Sequence, residues 1–152
     1  MSTTTPPVTP APSVNGQVIG LAHYASRALL EAVLARTGTS FNESVALRAV
    51  ADNGGTVERA WLVARLTGAL KIAESAASET VDEMAERKTL DTPAAGQVSL
   101  TDSGRELFEG IRVGGNRIAA RLYAGIPAED LAAAGRVLTL VTERANAELA
   151  DA

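Results

Sequence analysis

A chain of 152 residues carrying 18 acidic and 14 basic side chains, net −4, has the length of one packed domain that needs no covalent staple. It has no cysteine, which excludes a disulfide frame, a zinc–thiolate site and a cysteine nucleophile together. The acidic balance weighs against strong nonspecific nucleic-acid binding, because affinity for a phosphate backbone comes from released counterions.

Residues 1–15 hold four of the six prolines with Thr and Ser between them and no apolar period, so a disordered tail is expected there. The N-terminus lacks the basic and apolar regions of a signal peptide, and no apolar run approaches the ~20 residues needed to cross a bilayer. The expected location is the cytoplasm. Twelve arginines against two lysines reflect a GC-rich genome more than a function.

Residues 17–36 read as a first helix, with Ile19, Ala22, Leu29, Leu30, Val33 and Leu34 recurring at spacings of three and four. Gly38 stands where such a helix should stop. Ser40 and Glu43 form an S-x-x-E capping box for a second helix, which Asn53-Gly54-Gly55 breaks. Thr56 is read as the cap of a third helix, its apolar face built from Val57, Trp61, Leu62, Ala64 and Leu66, with Gly68 weakening its end. A fourth helix is expected over 72–87, with Ala73, Ala77, Val81 and Met84 along the inward stripe. Three short helices with small connections suit a helix-turn-helix core.

From Leu90 to Thr101 the turn residues Asp91, Thr92, Pro93 and Gly96 sit mid-segment and predict a hairpin tip between two short strands. Val98 and Leu100 share one face of the second strand. The period then changes at Thr101, a good N-cap, and Asp102 places negative charge at the positive end of the new helix. That helix runs to Tyr123 across Gly114-Gly115, which reads equally as a hinge or as a point of close helix approach. Pro127 opens a last helix over 128–149, with Leu131, Leu138, Val141 and Leu149 on one face.

The run Val98-Ser99-Leu100-Thr101-Asp102-Ser103-Gly104-Arg105-Glu106-Leu107 resembles the V-S-L-T-x-x-G-R-x-L passage from wing to helix in MarR-family regulators. The resemblance implies a mainly α fold: a winged helix-turn-helix core over about 40–101 with a small β-hairpin wing. It sits within a single domain over 16–152, flanked by long dimerisation helices at about 17–36 and 102–150. The long end helices would expose more apolar surface than a small winged core covers, which independently argues for a second copy.

The family likeness also implies a bacterial homodimer that binds double-stranded DNA, as a repressor relieved by a small aromatic ligand. The fourth helix would enter the major groove and present Glu74, Ser75, Ser78 and Glu79 to it. Arg65, Lys71, Lys88 and Arg105 are the candidate backbone contacts. His23, Tyr24 and Arg27 on the first helix, with Trp61, are candidate walls of a ligand cleft.

Charge runs against that picture. From Phe41 to Arg105 the chain carries seven basic and ten acidic residues, a net of −3, and the wing tip Asp91–Gly96 has no arginine where family members carry them. The competing reading is a winged-helix dimer that kept the fold, lost DNA and serves as a ligand-binding or protein-interaction module. No nucleophile elbow, phosphate-binding loop, dinucleotide fingerprint or metal-ligand cluster appears, so neither an enzyme nor a cofactor is expected.

Overall fold

The computed structural model describes residues 4–6 and 11–152; residues 1–3 and 7–10 of the expected tail lie outside the described residues. The chain divides into two compact units, 1–116 and Arg117–Ala152.

The first unit opens with α1 (Gly16–Ala35), whose N-terminus is capped by Asn15: its Oδ1 accepts from the Val18 N–H at 2.9 Å. Gly38 closes the connection at φ +68, as its position in the sequence predicts. One expectation fails here. At 20 residues, α1 is long and apolar enough by length and composition to cross a membrane. It also carries the Arg27–Glu31 ion pair at 3.1 Å.

Ser40 caps α2 (Phe41–Asp52), its Oγ accepting from the Glu43 N–H at 3.1 Å. The other half of the predicted capping box goes elsewhere. The Glu43 carboxylate is buried and faces Arg87 at 3.5 Å, while the same Arg87 nitrogen donates to the Gly38 carbonyl at 2.6 Å. Glu43 thus joins the start of α2 to the residue that ends the fourth helix.

Thr56 does not cap a helix. Gly54 and Gly55 both adopt positive φ, and the chain leaves them as a strand, β1 (Thr56–Glu58). Val57 lies opposite Val98, and the Thr56 and Ser99 hydroxyls bond across the pair at 2.8 Å. The hairpin alone is a marginal two-stranded ribbon, and this third strand completes a small sheet around it. The helix α3 (Arg59–Leu70) begins only after it and ends at Lys71, which holds a left-handed conformation at φ 56.

The fourth helix, α4 (Glu74–Glu86), starts two residues later than its apolar stripe predicts. Ala73 is its exposed N-cap, while Ala77, Val81 and Met84 are fully buried as expected. After it come β2 (Leu90–Asp91) and β3 (Gln97–Leu100), giving an antiparallel sheet in the order β1-β3-β2. The core beneath is built on Leu34, Leu47, Val50, Leu62, Leu66, Val81 and Met84.

α5 (Asp102–Leu122) follows β3 with one residue between, and Thr101 does two jobs in that step. Its hydroxyl accepts from the Gly104 N–H at 3.0 Å and donates to the Lys88 carbonyl at 2.6 Å. Gly104 has no alternative at its position, because a Cβ there would overlap the Thr89 carbonyl oxygen. The helix passes through Gly114 and Gly115 unbroken. A Cβ at Gly114 would lie 2.9 Å from a Val33 methyl, whereas one at Gly115 would meet nothing. Close approach is the observed role of Gly114.

The second unit holds the end of α5, a turn with Gly125 at φ +74, and α6 (Ala128–Asp151). Pro127 is the N-cap of α6 rather than its first helical residue. No residue of α6 is buried, although it carries Leu131, Val137, Leu138, Leu140, Val141 and Leu149.

Candidate nucleic-acid interface

Helices α3 and α4, joined by the short Lys71–Ala73 turn, make a helix-turn-helix, with the tip of the β2–β3 hairpin beside them. Burial of Ala77, Thr80, Val81 and Met84 fixes which face of α4 turns outward. That outer face presents Glu74, Ser75, Glu79, Asp82, Glu83 and Glu86 to solvent. Five of the 13 residues of α4 are carboxylates and none is basic, so the helix proposed to meet a polyanion is itself an anion.

A groove of about 760 Å³ opens over α3 beside the start of α4, floored by Ala60, Val63 and Ala64 of α3 and edged by Glu58, Glu74 and Ser78. Arg59 also lines it and ties its parts together. Its backbone N–H donates to the Gly96 carbonyl of the hairpin tip at 2.7 Å. Its Nη2 donates to the Ser78 carbonyl at 3.3 Å, the Ser78 hydroxyl at 3.0 Å and Asp82 Oδ1 at 2.8 Å. One residue therefore joins the wing to the fourth helix.

The expected site residues separate on this frame. Glu74, Ser75 and Glu79 stand exposed on the outer face of α4, as their spacing predicts. Ser78 is half-buried beneath Arg59, and its hydroxyl is already engaged there. Arg65 is exposed on α3, and Lys71 sits in the turn with its Nζ donating to the Gly68 carbonyl at 2.6 Å. Lys88 adopts φ +61 just past α4. Arg105 is not brought to the groove; it lines a separate hollow with Gly54, Gly55 and Phe108, and pairs with Asp102 at 3.6 Å.

Sequence reasoning missed Arg59 because it took Thr56 as a helix cap. Read as a strand, Thr56-Val57-Glu58 would have placed the next residue at the strand-to-helix corner beside the wing.

The four ligand candidates separate too. The His23 and Tyr24 rings meet edge to face at 5.2 Å on an exposed stretch of α1. Arg27 lies 4.1 Å from the centroid of the Phe41 ring. It lines a cavity of about 390 Å³ with Glu31, Leu34, Thr39 and Phe41, in which neither His23 nor Tyr24 takes part. Trp61 stands exposed on α3, away from that cavity. Thr39, from the α1–α2 connection, and Phe41, the first residue of α2, are the walls the sequence did not single out.

No protein-family profile matches the chain, and no curated protein matches it by sequence. Solved structures match its fold. CouR from Rhodococcus jostii RHA1, solved bound to p-coumaroyl-CoA, is 16% identical with a TM-score of 0.71 over 84% of this chain and 90% of its own. BpsR of Bordetella bronchiseptica, whose DNA binding is regulated by 6-hydroxynicotinic acid, is 19% identical with a TM-score of 0.68 over 87% and 99%. A MarR-family protein of Mycobacterium tuberculosis in complex with DNA is 18% identical with a TM-score of 0.66 over 86% and 98%. At these identities the likeness is one of fold, and the chain has the winged-helix fold of MarR-type transcriptional regulators.

Proposed function

We propose that this protein is a cytoplasmic, homodimeric transcriptional regulator that binds double-stranded DNA through α4 and the hairpin wing, and that it represses until a small aromatic ligand releases it. The observation that carries the reading is the mounting of α4. Its Ala77, Val81 and Met84 face is sunk in the core, and its opposite face stands open beside the wing. That is the arrangement a major-groove helix needs, and one neighbour of this fold is solved on DNA.

Ser75 and Glu79 are the residues of α4 placed to reach base edges, glutamate accepting from cytosine N4. Arg65, Lys71 and Lys88 are left to touch the backbone, and Glu74 works against them. The second copy is supported by α6, whose six large apolar side chains are all exposed in the single chain. Leu21, Tyr24 and Leu29 of α1 add to that argument. The ligand reading rests on the cavity beside Arg27 and Phe41, whose size suits one aromatic ring and a short polar tail.

The test is a fluorescence titration of a duplex from the gene's own upstream region, at low and raised salt, with a scrambled duplex beside it. A regulator prefers its own site and loses affinity as salt rises. Replacing Ser75 by Glu should abolish that preference; unchanged binding removes α4 from the groove. Light scattering at micromolar concentration returning a monomer mass removes the dimer.

A second reading is favoured by one observation, the five carboxylates of α4 beside an arginine-free wing tip. Under it the face meets a basic protein segment, and no duplex binds at any salt concentration.

A further inference from the structure

We infer that Arg59 is a backbone-phosphate contact of this protein, anchored on α4 by Nη2 and offering Nη1 to a phosphodiester. The inference rests on the DNA-binding reading and adds to it a residue that the sequence did not suggest.

Among the described residues, every bond the guanidinium makes is made by Nη2, to Ser78 and Asp82. A guanidinium has five N–H donors in a rigid fork, so Nε and Nη1 are left over. Among the described residues no buried side-chain nitrogen or oxygen lacks a partner. Those two nitrogens are therefore not buried, and Arg59 lines the groove between α4 and the wing. Among the described residues it is the one cation lining that groove, against Glu58 and Glu74.

Position adds to chemistry. The bond from the Arg59 N–H to Gly96 fixes the residue's backbone beside the wing tip, while Asp82 and Ser78 fix its head on α4. A strand of duplex that separates the major groove, entered by α4, from the minor groove beside the wing passes between those two supports. With Nη2 engaged, both bidentate edges of the guanidinium are in use, and Nη1 is left to donate to a single phosphate oxygen while the head stays fixed on α4. Holding the head in place beforehand removes the rotamer entropy that a loose surface arginine would lose on binding.

The test measures binding by fluorescence anisotropy across salt, for the wild type and for Arg59→Ala, Arg59→Gln and Arg59→Lys, on the upstream duplex and on a scrambled one. Thermal melts establish that each variant is folded. Arg59→Ala should weaken both duplexes alike, by about ten-fold, and reduce the log–log salt slope by about 1. Arg59→Lys should keep the slope and still lose several-fold in affinity, because one ammonium cannot hold Asp82 and Ser78 on α4 and reach a phosphate at the same time.

A merely structural role for Arg59 would lower the melting temperature and leave the slope unchanged; that result overturns the inference, with Arg59→Gln deciding if the alanine variant does not fold. A wild type that binds neither duplex at low salt overturns the DNA reading and this contact together. A wild type that binds, with an unchanged slope in the folded variants, overturns the contact alone.

Discussion

The root of the wing and the outer face of α4 lie in the same unit and differ in what determines them. At the root, Thr101, Lys88, Thr89 and Gly104 form a knot in which one hydroxyl caps a helix and ties down the preceding turn, and one glycine leaves room for a carbonyl. Almost every atom there has one place to be. On the outer face of α4, apart from Asp82 paired with Arg59, the residues stand exposed and most are carboxylates. The knot belongs to the fold and the charged face to the function. A chain can keep the first while the second drifts, which is why fold likeness and DNA affinity must be tested apart.

The comparison breaks most visibly if the inner face of α4 is removed. Met84→Ala should cost about 2–5 kcal/mol, since the side chain is fully buried and belongs to the hydrophobic core. Chemical denaturation checks it, and a loss within error would mean that the core does not hold α4. At the knot, Gly104→Ala inverts the usual helix preference. In an open helix the change stabilises by about 1 kcal/mol; here the overlap with Thr89 should destabilise by about 1–3 kcal/mol. A melting temperature that rises instead would show that the backbone at Thr89 yields.

The outer face sharpens the contrast by responding in function and not in stability. Glu79→Arg combined with Glu83→Arg changes two exposed residues, so the melting temperature should stay within error. Affinity for any duplex should rise about ten-fold or more, and the salt slope should steepen by one to two, on the order of one per added phosphate contact. A folded double variant that still binds no duplex would place DNA somewhere other than α4.

What the sequence revealed follows the same division. The Thr101 cap, the Ser40 cap and the Ala77–Val81–Met84 stripe are local patterns in which a side chain meets its own neighbours, and all three appear as read. β1 was hidden because its partner lies about forty residues away: Val57 is a strand residue only once Val98 is opposite it. Arg59 was hidden with it, since its partners Ser78 and Asp82 are 19 and 23 residues on. Among the site residues, the exposure of Glu74, Ser75 and Glu79 followed from helical period, which also puts Ser78 nearer the core than a simple groove-facing list allowed. His23 and Tyr24 were grouped with Arg27 by nearness in sequence, but of the three only Arg27 lines the cavity that Thr39 and Phe41 complete.

The paired glycines of α5 repeat the contrast within two residues. Gly115→Ala should stabilise by about 0.5–1 kcal/mol, because a methyl there meets open space and the helix loses less backbone entropy. Gly114→Ala should lose that gain or reverse it, since Val33 must give way. Equal gains at both would show that Val33 moves freely.

The smallest expected effect lies one turn earlier on α5. Arg112 donates to Glu109 through Nε at 2.9 Å, and this bond, with the charge of Arg112, holds the Glu109 carboxyl below its ordinary value of 4.5. The folded chain therefore favours the carboxylate. Its contribution is present above that ordinary value and is lost as pH falls through the lower folded one. Both side chains lie at the surface, so water and salt screen the pair. Glu109→Gln should lower the melting temperature slightly at neutral pH and low salt, and the wild-type and variant curves should converge in acid. A difference that persists in acid, or grows with salt, would mean that Glu109 acts through something other than its charge.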